Sequence, residues 1–155
     1  MNITIVYSEV LFDLQNKNRE EVRSIQEPQA RYQAEAGSNK TDEVRRCLQE
    51  AFSQVESMYV RFINSSSDND ASNVLEEGDD RSLVFEVSDR RASGKSQVIA
   101  DTIHSLIVNH ALQKFYNTVQ QPELAAKRNS LAEADASMLN KLLYEKLPPI
   151  YPSEL

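Results

Sequence analysis

The sequence predicts a mainly α-helical fold, an antiparallel bundle of three long helices plus shorter N-terminal helices, with a small β-hairpin or strand pair. Three observations predict it. Only three of the 155 residues are glycine, well under the ~7% usual share and too few for the tight turns of a sandwich or barrel. Apolar residues recur at three- and four-residue steps over long stretches, the spacing that gathers them on one helical face. A chain of this length buries roughly two-thirds of its surface on folding, so one core closes without a disulfide or metal staple.

Ile3 and Ile5 alternate with polar residues, as Leu83, Phe85 and Val87 do. Residues 2–6 and 82–87 are therefore predicted as strands that pair with each other, with an extended lead-in lying on the bundle as the alternative for 2–6. Ser8 is expected to cap a helix through Val10, Leu11, Leu14 and Val22, and a second short helix from Pro28 to Ala36 ends at Gly37.

Residues 41–63 carry the clearest stripe, through Val44, Leu48, Ala51, Phe52, Val55, Tyr59 and Phe62. Thr41 is the expected N-cap, and Asp42 and Glu43 set negative charge against the positive end of the helix dipole. From Ser96 to Val119 apolar residues fall on several faces, which makes this the central helix. Pro122 opens the last helix, where Leu124, Leu131, Met138, Leu139, Leu142, Leu143 and Leu147 keep helical spacing. The short link at Gln120 and Gln121 makes the last two helices antiparallel neighbours. Residues 1–147 thus read as a single helical domain, and residues 148–155, with Pro148, Pro149 and Pro152, as an extended tail.

The formal charge is −7, from 24 acidic against 17 basic side chains. It is a local property: residues 64–80 hold six acidic and no basic residues, and without them the counts are 18 and 17. Residues 64–81 bury too little to order themselves and are predicted as a mobile acidic loop or arm. No basic patch is interleaved with aromatics, so nucleic acid is not an expected partner. Cys47 is the only cysteine, which excludes an internal disulfide or a thiolate zinc site and suits a reducing compartment. The opening residues lack a basic n-region and no window approaches the ~18 apolar residues of a membrane span, so a cytoplasmic location is expected.

Four motifs suggest chemistry and each meets an objection. Ser93-Gly94-Lys95-Ser96 resembles the end of a phosphate-binding loop, but Asp89 stands where that pattern needs its first glycine. Ser88 capping the long helix would leave Gly94 inside it, at about 1 kcal/mol. Asp68, Asp70, Ser72 and Asp79 match positions of a calcium loop, yet the turn glycine is replaced by Asn73 and the bidentate Glu by Asp79. Asp68, Asp70 and Asp79 remain the only weak metal candidates, and no cofactor is expected. His104 and His110 lie about 240° apart around a helix, on different faces; His110 reads as a satisfied, partly buried side chain. Asp101 lies one turn before His104, within reach of it, but no nucleophile elbow accompanies the pair and no catalytic residue is assigned. Arg90 and Arg91 suit an acidic partner surface, with Asp79 and Asp80 of a neighbouring copy as the internal candidate.

The stretch Ile103-His104-Ser105-Leu106-Ile107-Val108-Asn109-His110-Ala111-Leu112-Gln113-Lys114-Phe115-Tyr116 carries a resemblance, together with Ile5-Val6-Tyr7-Ser8-Glu9-Val10-Leu11-Phe12-Asp13 and Tyr144-Glu145-Lys146-Leu147-Pro148-Pro149. It resembles little-characterised prophage-encoded virion-assembly proteins of the head–tail connector or tail-completion kind. The likeness spans about half the chain, rests on helical core residues and carries no functional residue with it. It implies a small helical protein that forms rings between portal and tail, with itself and other virion-assembly proteins as partners, in the host cytoplasm or built into the virion. The expectation is therefore a non-enzymatic assembly protein. The competing classes are a small helical adaptor or regulatory binding protein working as monomer or dimer and, behind it, an enzyme with a site between helices.

Overall fold

The computed structural model describes residues 1–37, 40–63 and 82–147. Strand β1 (Asn2–Val6) runs directly into helix α1 (Tyr7–Val22), followed by α2 (Pro28–Ala34) and α3 (Thr41–Met58). A 3-10 turn at Val60–Phe62 closes that half, and β2 (Ser82–Glu86), the four-residue α4 (Asp89–Ala92), α5 (Ser96–Thr118) and α6 (Pro122–Tyr144) complete it. The protein is mainly helical with a small antiparallel two-stranded sheet, as its glycine poverty and apolar spacing predict.

β1 and β2 pair antiparallel from Asn2↔Glu86 to Val6↔Ser82. Strand residues alternate between faces, so Ile3, Ile5, Leu83 and Phe85 point into the core while Asn2 and Thr4 face out. On the far side of β2, Ile63 bridges Phe85. The strands thus form, and the lead-in alternative for 2–6 falls away.

α5 is the axis of the bundle. Ile99, Ile103, Leu106, Ile107, Val108, Leu112 and Phe115 are all fully buried, which requires neighbours on every side. α6 runs antiparallel to it, since Ser105 meets Asp135 and Asn109 meets Arg128. α1 runs parallel to it, with His104 on Asp13 and Tyr116 on Asn18.

Helix ends depart from the sequence reading in instructive ways. α1 starts at Tyr7 with Val6 at the cap position, and α3 starts at Thr41 with Lys40 before it, so neither Ser8 nor Thr41 is the N-cap. The strand enters α1 with no intervening turn, and Lys40 is held by a separate contact, its ammonium lying on the carbonyls of Tyr32 and Gln33. α2 stops at Ala34, two residues short, because Ala36 N–H is taken by Asn18 Oδ1 at 2.6 Å. Ser88 caps the short α4, its Oγ accepting from Arg91 N–H at 3.3 Å, and not α5. Gly94, at φ 71°, forms the left-handed break between the two helices instead of sitting inside one. The acidic segment and the Pro-rich tail lie outside the described residues.

Candidate functional site

A polar network crosses the bundle interior between α1, α5 and α6. Glu21 and Arg128 form an ion pair whose side chains are each 8% exposed. Arg128 Nε donates to Glu21 Oε1 at 2.8 Å, Nη2 bonds the same oxygen, and Nη1 donates to Asn109 Oδ1 at 2.8 Å. Asn109 Nδ2 continues to Asp135 Oδ2 at 2.7 Å, where Ser105 Oγ also donates at 2.7 Å. On the other side, Tyr116 donates to Glu21 Oε1 at 3.2 Å and accepts from Asn18 Nδ2 at 3.3 Å. Burial and the Glu21 charge push the Tyr116 hydroxyl far above the usual phenol range. Glu21 Oε2 is buried without a hydrogen bond, Lys127 Nζ standing 3.5 Å away. These groups link three helices, from the buried Glu21–Arg128 pair out to the half-buried Ser105 and Asp135, and so fix helix register. Sequence reasoning missed them, although one signal was present: Arg128 sits three residues after Ala125 and four before Ala132, on the face that α6 buries.

The histidines do not behave as the helical spacing alone predicts. Asp101 accepts from Gln97 Nε2 at 2.8 Å, and His104 turns to α1, its Nε2 lying 2.5 Å from Asp13 Oδ2. The pair borders a shallow depression of about 360 Å³ with Ser8, Glu9 and Phe12. An imidazole–carboxylate pair orients a ring and ties two helices; acyl-transfer chemistry needs in addition a nucleophile bonded to the other ring nitrogen. His110 is half-buried, as expected, and bonds Gln113, but its Nε2 is buried without a hydrogen-bond partner, so the ring is satisfied on one side alone. Burial and the neighbouring Lys114 lower its pKa, against a hydrogen bond with Gln113 and the Asp135 charge.

A cleft of about 610 Å³ opens between the start of α3 and the end of α5, rimmed by Asp42, Glu43, Arg46, Glu50 and Lys114. Cys47 is also in its lining, but burial, with Glu50 beside it, pushes the thiol up to about 11. A thiol so protonated at neutral pH is a weak nucleophile. Among the described residues no group of three or more His, Cys, Asp or Glu is placed to hold a metal ion. The calcium-loop candidates Asp68, Asp70 and Asp79 lie outside the described residues.

A group of exposed apolar side chains lies where α3 ends beside the end of α6. Tyr59 leaves helical geometry at φ −122°, because its buried ring packs on Phe85 at 6.3 Å and its hydroxyl donates to Asn140 Oδ1 at 3.0 Å. α3 therefore stops at Met58 and does not continue to residue 63. The 3-10 turn leaves Val60 68% and Met58 44% exposed. Phe62 meets the Tyr144 ring edge-on at 5.3 Å, and the Arg61 guanidinium lies 5.7 Å from the same ring. Tyr144 is itself 44% exposed.

Arg91 holds this corner in place. Its Nη1 donates to Leu142 O at 3.3 Å and to Glu145 O at 2.8 Å, satisfying the last carbonyls of α6 and countering the negative end of its dipole. Arg91 was expected to face a partner's acid; its guanidinium is engaged within the chain. Arg90 is exposed on α4 beside it, while Asp79 and Asp80 lie outside the described residues. No helix of the described residues is long and apolar enough to cross a membrane. Comparison with models of known families, with curated proteins and with solved structures finds no match to this chain.

Proposed function

We propose that this chain is a non-enzymatic assembly protein acting through contacts with copies of itself and with other proteins. Its resemblance to head–tail connector and tail-completion proteins of prophages gives the setting, including incorporation into a virion. The observation that carries the reading is the group of exposed side chains Met58, Val60, Arg61 and Tyr144 where α3 ends beside α6. Methionine, tyrosine and arginine are the residue types enriched where proteins meet, and anchors of this kind dominate interface energies.

Light scattering over a concentration and salt series tests it, alone and with candidate virion proteins, on wild type and Val60→Asp. Assembly that Val60→Asp abolishes supports the reading. A chain that stays monomeric alone and binds no virion protein would sink it. A small helical adaptor working as a dimer is the second reading, favoured by the one-sided sheet, in which Ile63 already meets the outer side of β2. Association that stops at two copies selects it over a ring.

A further inference from the structure

We infer that β1 is a pairing strand: β1 of one copy lies antiparallel against β1 of a second, with the two-fold axis at Thr4. This rests on the reading that copies of the chain meet, and it names the contact.

The hydrogen-bond parity of the sheet carries the inference. Met1 and Val87 exchange both backbone bonds, each 2.9 Å. In an antiparallel ladder such pairs alternate, so Ile3 and Ile5 also direct their backbone groups at β2, and Asn2, Thr4 and Val6 direct theirs outward. Among the described residues nothing bonds the outward groups of Asn2 and Thr4, and both residues are exposed. Val6 C=O begins the helical ladder of α1, leaving its N–H.

An identical strand satisfies this inventory. With the axis at Thr4, Thr4 N–H donates to the partner's Thr4 carbonyl and accepts the reciprocal bond. Val6 N–H likewise donates to the partner's Asn2 carbonyl, in both directions. Of the outward groups only Asn2 N–H is left over. Thr4 then faces the partner's Thr4 on the outer surface, a favourable cross-strand pair, and Ile3 faces the partner's Ile5 on the buried side. Residues 2–6 contain no charge and no proline, two of the usual devices that blunt an edge strand. Growth is one-sided, because the far side of β2 already carries Ile63. The product is a closed β2-β1-β1-β2 sheet and not a fibre.

The test is the full chain in a concentration series, read by light scattering and by amide exchange at single residues. Thr4→Lys places two like charges face to face at the axis and should raise the dimer dissociation constant about tenfold or more at low salt, partly restored by added salt. Thr4→Val, which keeps the backbone pattern, should dimerise as wild type does. Exchange of the Thr4 and Val6 amides should slow as concentration rises. Dimerisation unaffected by Thr4→Lys, a Thr4 amide indifferent to concentration, or a monomer at every concentration would each overturn the inference. Association lost in Val60→Asp but kept in Thr4→Lys would overturn the strand contact while leaving the assembly reading intact.

Discussion

The Glu21–Arg128 pair is where one residue change has the largest foreseeable effect. A buried ion pair contributes modestly against an apolar replacement, but removing one member strands the other in a low-dielectric interior. Arg128→Met leaves Glu21 with the Tyr116 hydroxyl and the largely exposed Lys127 in place of a buried guanidinium, and Asn109 Oδ1 loses its donor. We expect it to cost about 3–5 kcal/mol in urea unfolding, and the double variant Glu21→Leu with Arg128→Met to recover most of that loss. His110 sets a pH dependence of opposite sense to a histidine that gains a partner. Its folded pKa is held below the ordinary 6.5 by burial and Lys114. The unfolded chain therefore takes up the proton first, so its contribution is complete above the unfolded value and is lost as pH falls through the folded one. Between about pH 7.5 and about pH 5.5 the urea midpoint of wild type should fall further than that of His110→Gln. Neither group was legible as a pair in the sequence, since partners such as Glu21 and Arg128 are brought together only by tertiary packing.

Helices as segments were legible, and so were some of their ends, such as the starts of α2 at Pro28, α5 at Ser96 and α6 at Pro122, while the caps of α1 and α3 and the ends of α2 and α3 were not. The apolar steps of α3, α5 and α6 place each within a few residues, because burying a face dominates local preference. Termini depend instead on single contacts: Tyr59 on Asn140 stops α3, Asn18 on Ala36 stops α2, and Gly94 separates α4 from α5. The α5–α6 link shows the same dependence. Gln120 adopts φ 59°, and Gln121 N–H donates back to Tyr116 O at 2.9 Å, the helix-ending arrangement usually built on glycine. A side chain in that left-handed region is strained, so Gln120→Gly should stabilise the fold by about 0.5–1 kcal/mol despite the extra freedom it gives the unfolded chain. Differential scanning calorimetry reads this as a higher Tm; a lower one would mean that the Gln120 side chain contributes a contact outweighing its strain.

At the scale of the whole molecule, α5 holds α1, α3, α6 and the sheet together, and truncation there should act on all of them. Leu112→Ala, at a fully buried position, should cost about 3 kcal/mol, whereas Leu131→Ala, 40% exposed on α6, should stay within about 0.5 kcal/mol. Chemical denaturation of both variants checks the contrast. The bundle and its central helix were readable from apolar spacing. The exposed corner at Met58 and Val60 was not, because the apolar stripe through Phe62 predicts a helix continued to residue 63 and hides the break at Tyr59. α2 stands apart from this hierarchy. Ala34 is its only buried side chain, and the segment is fastened by the Asn18 amide, which donates to Ala34 O at 2.9 Å and accepts from Ala36 N–H. One amide thus imitates a neighbouring strand. A protease probes that fastening directly: a tryptic nick after the exposed Arg31 should leave the rest of the bundle folded, and the rate of cleavage at Arg31 reads how often Asn18 and the Lys40 ammonium release the segment.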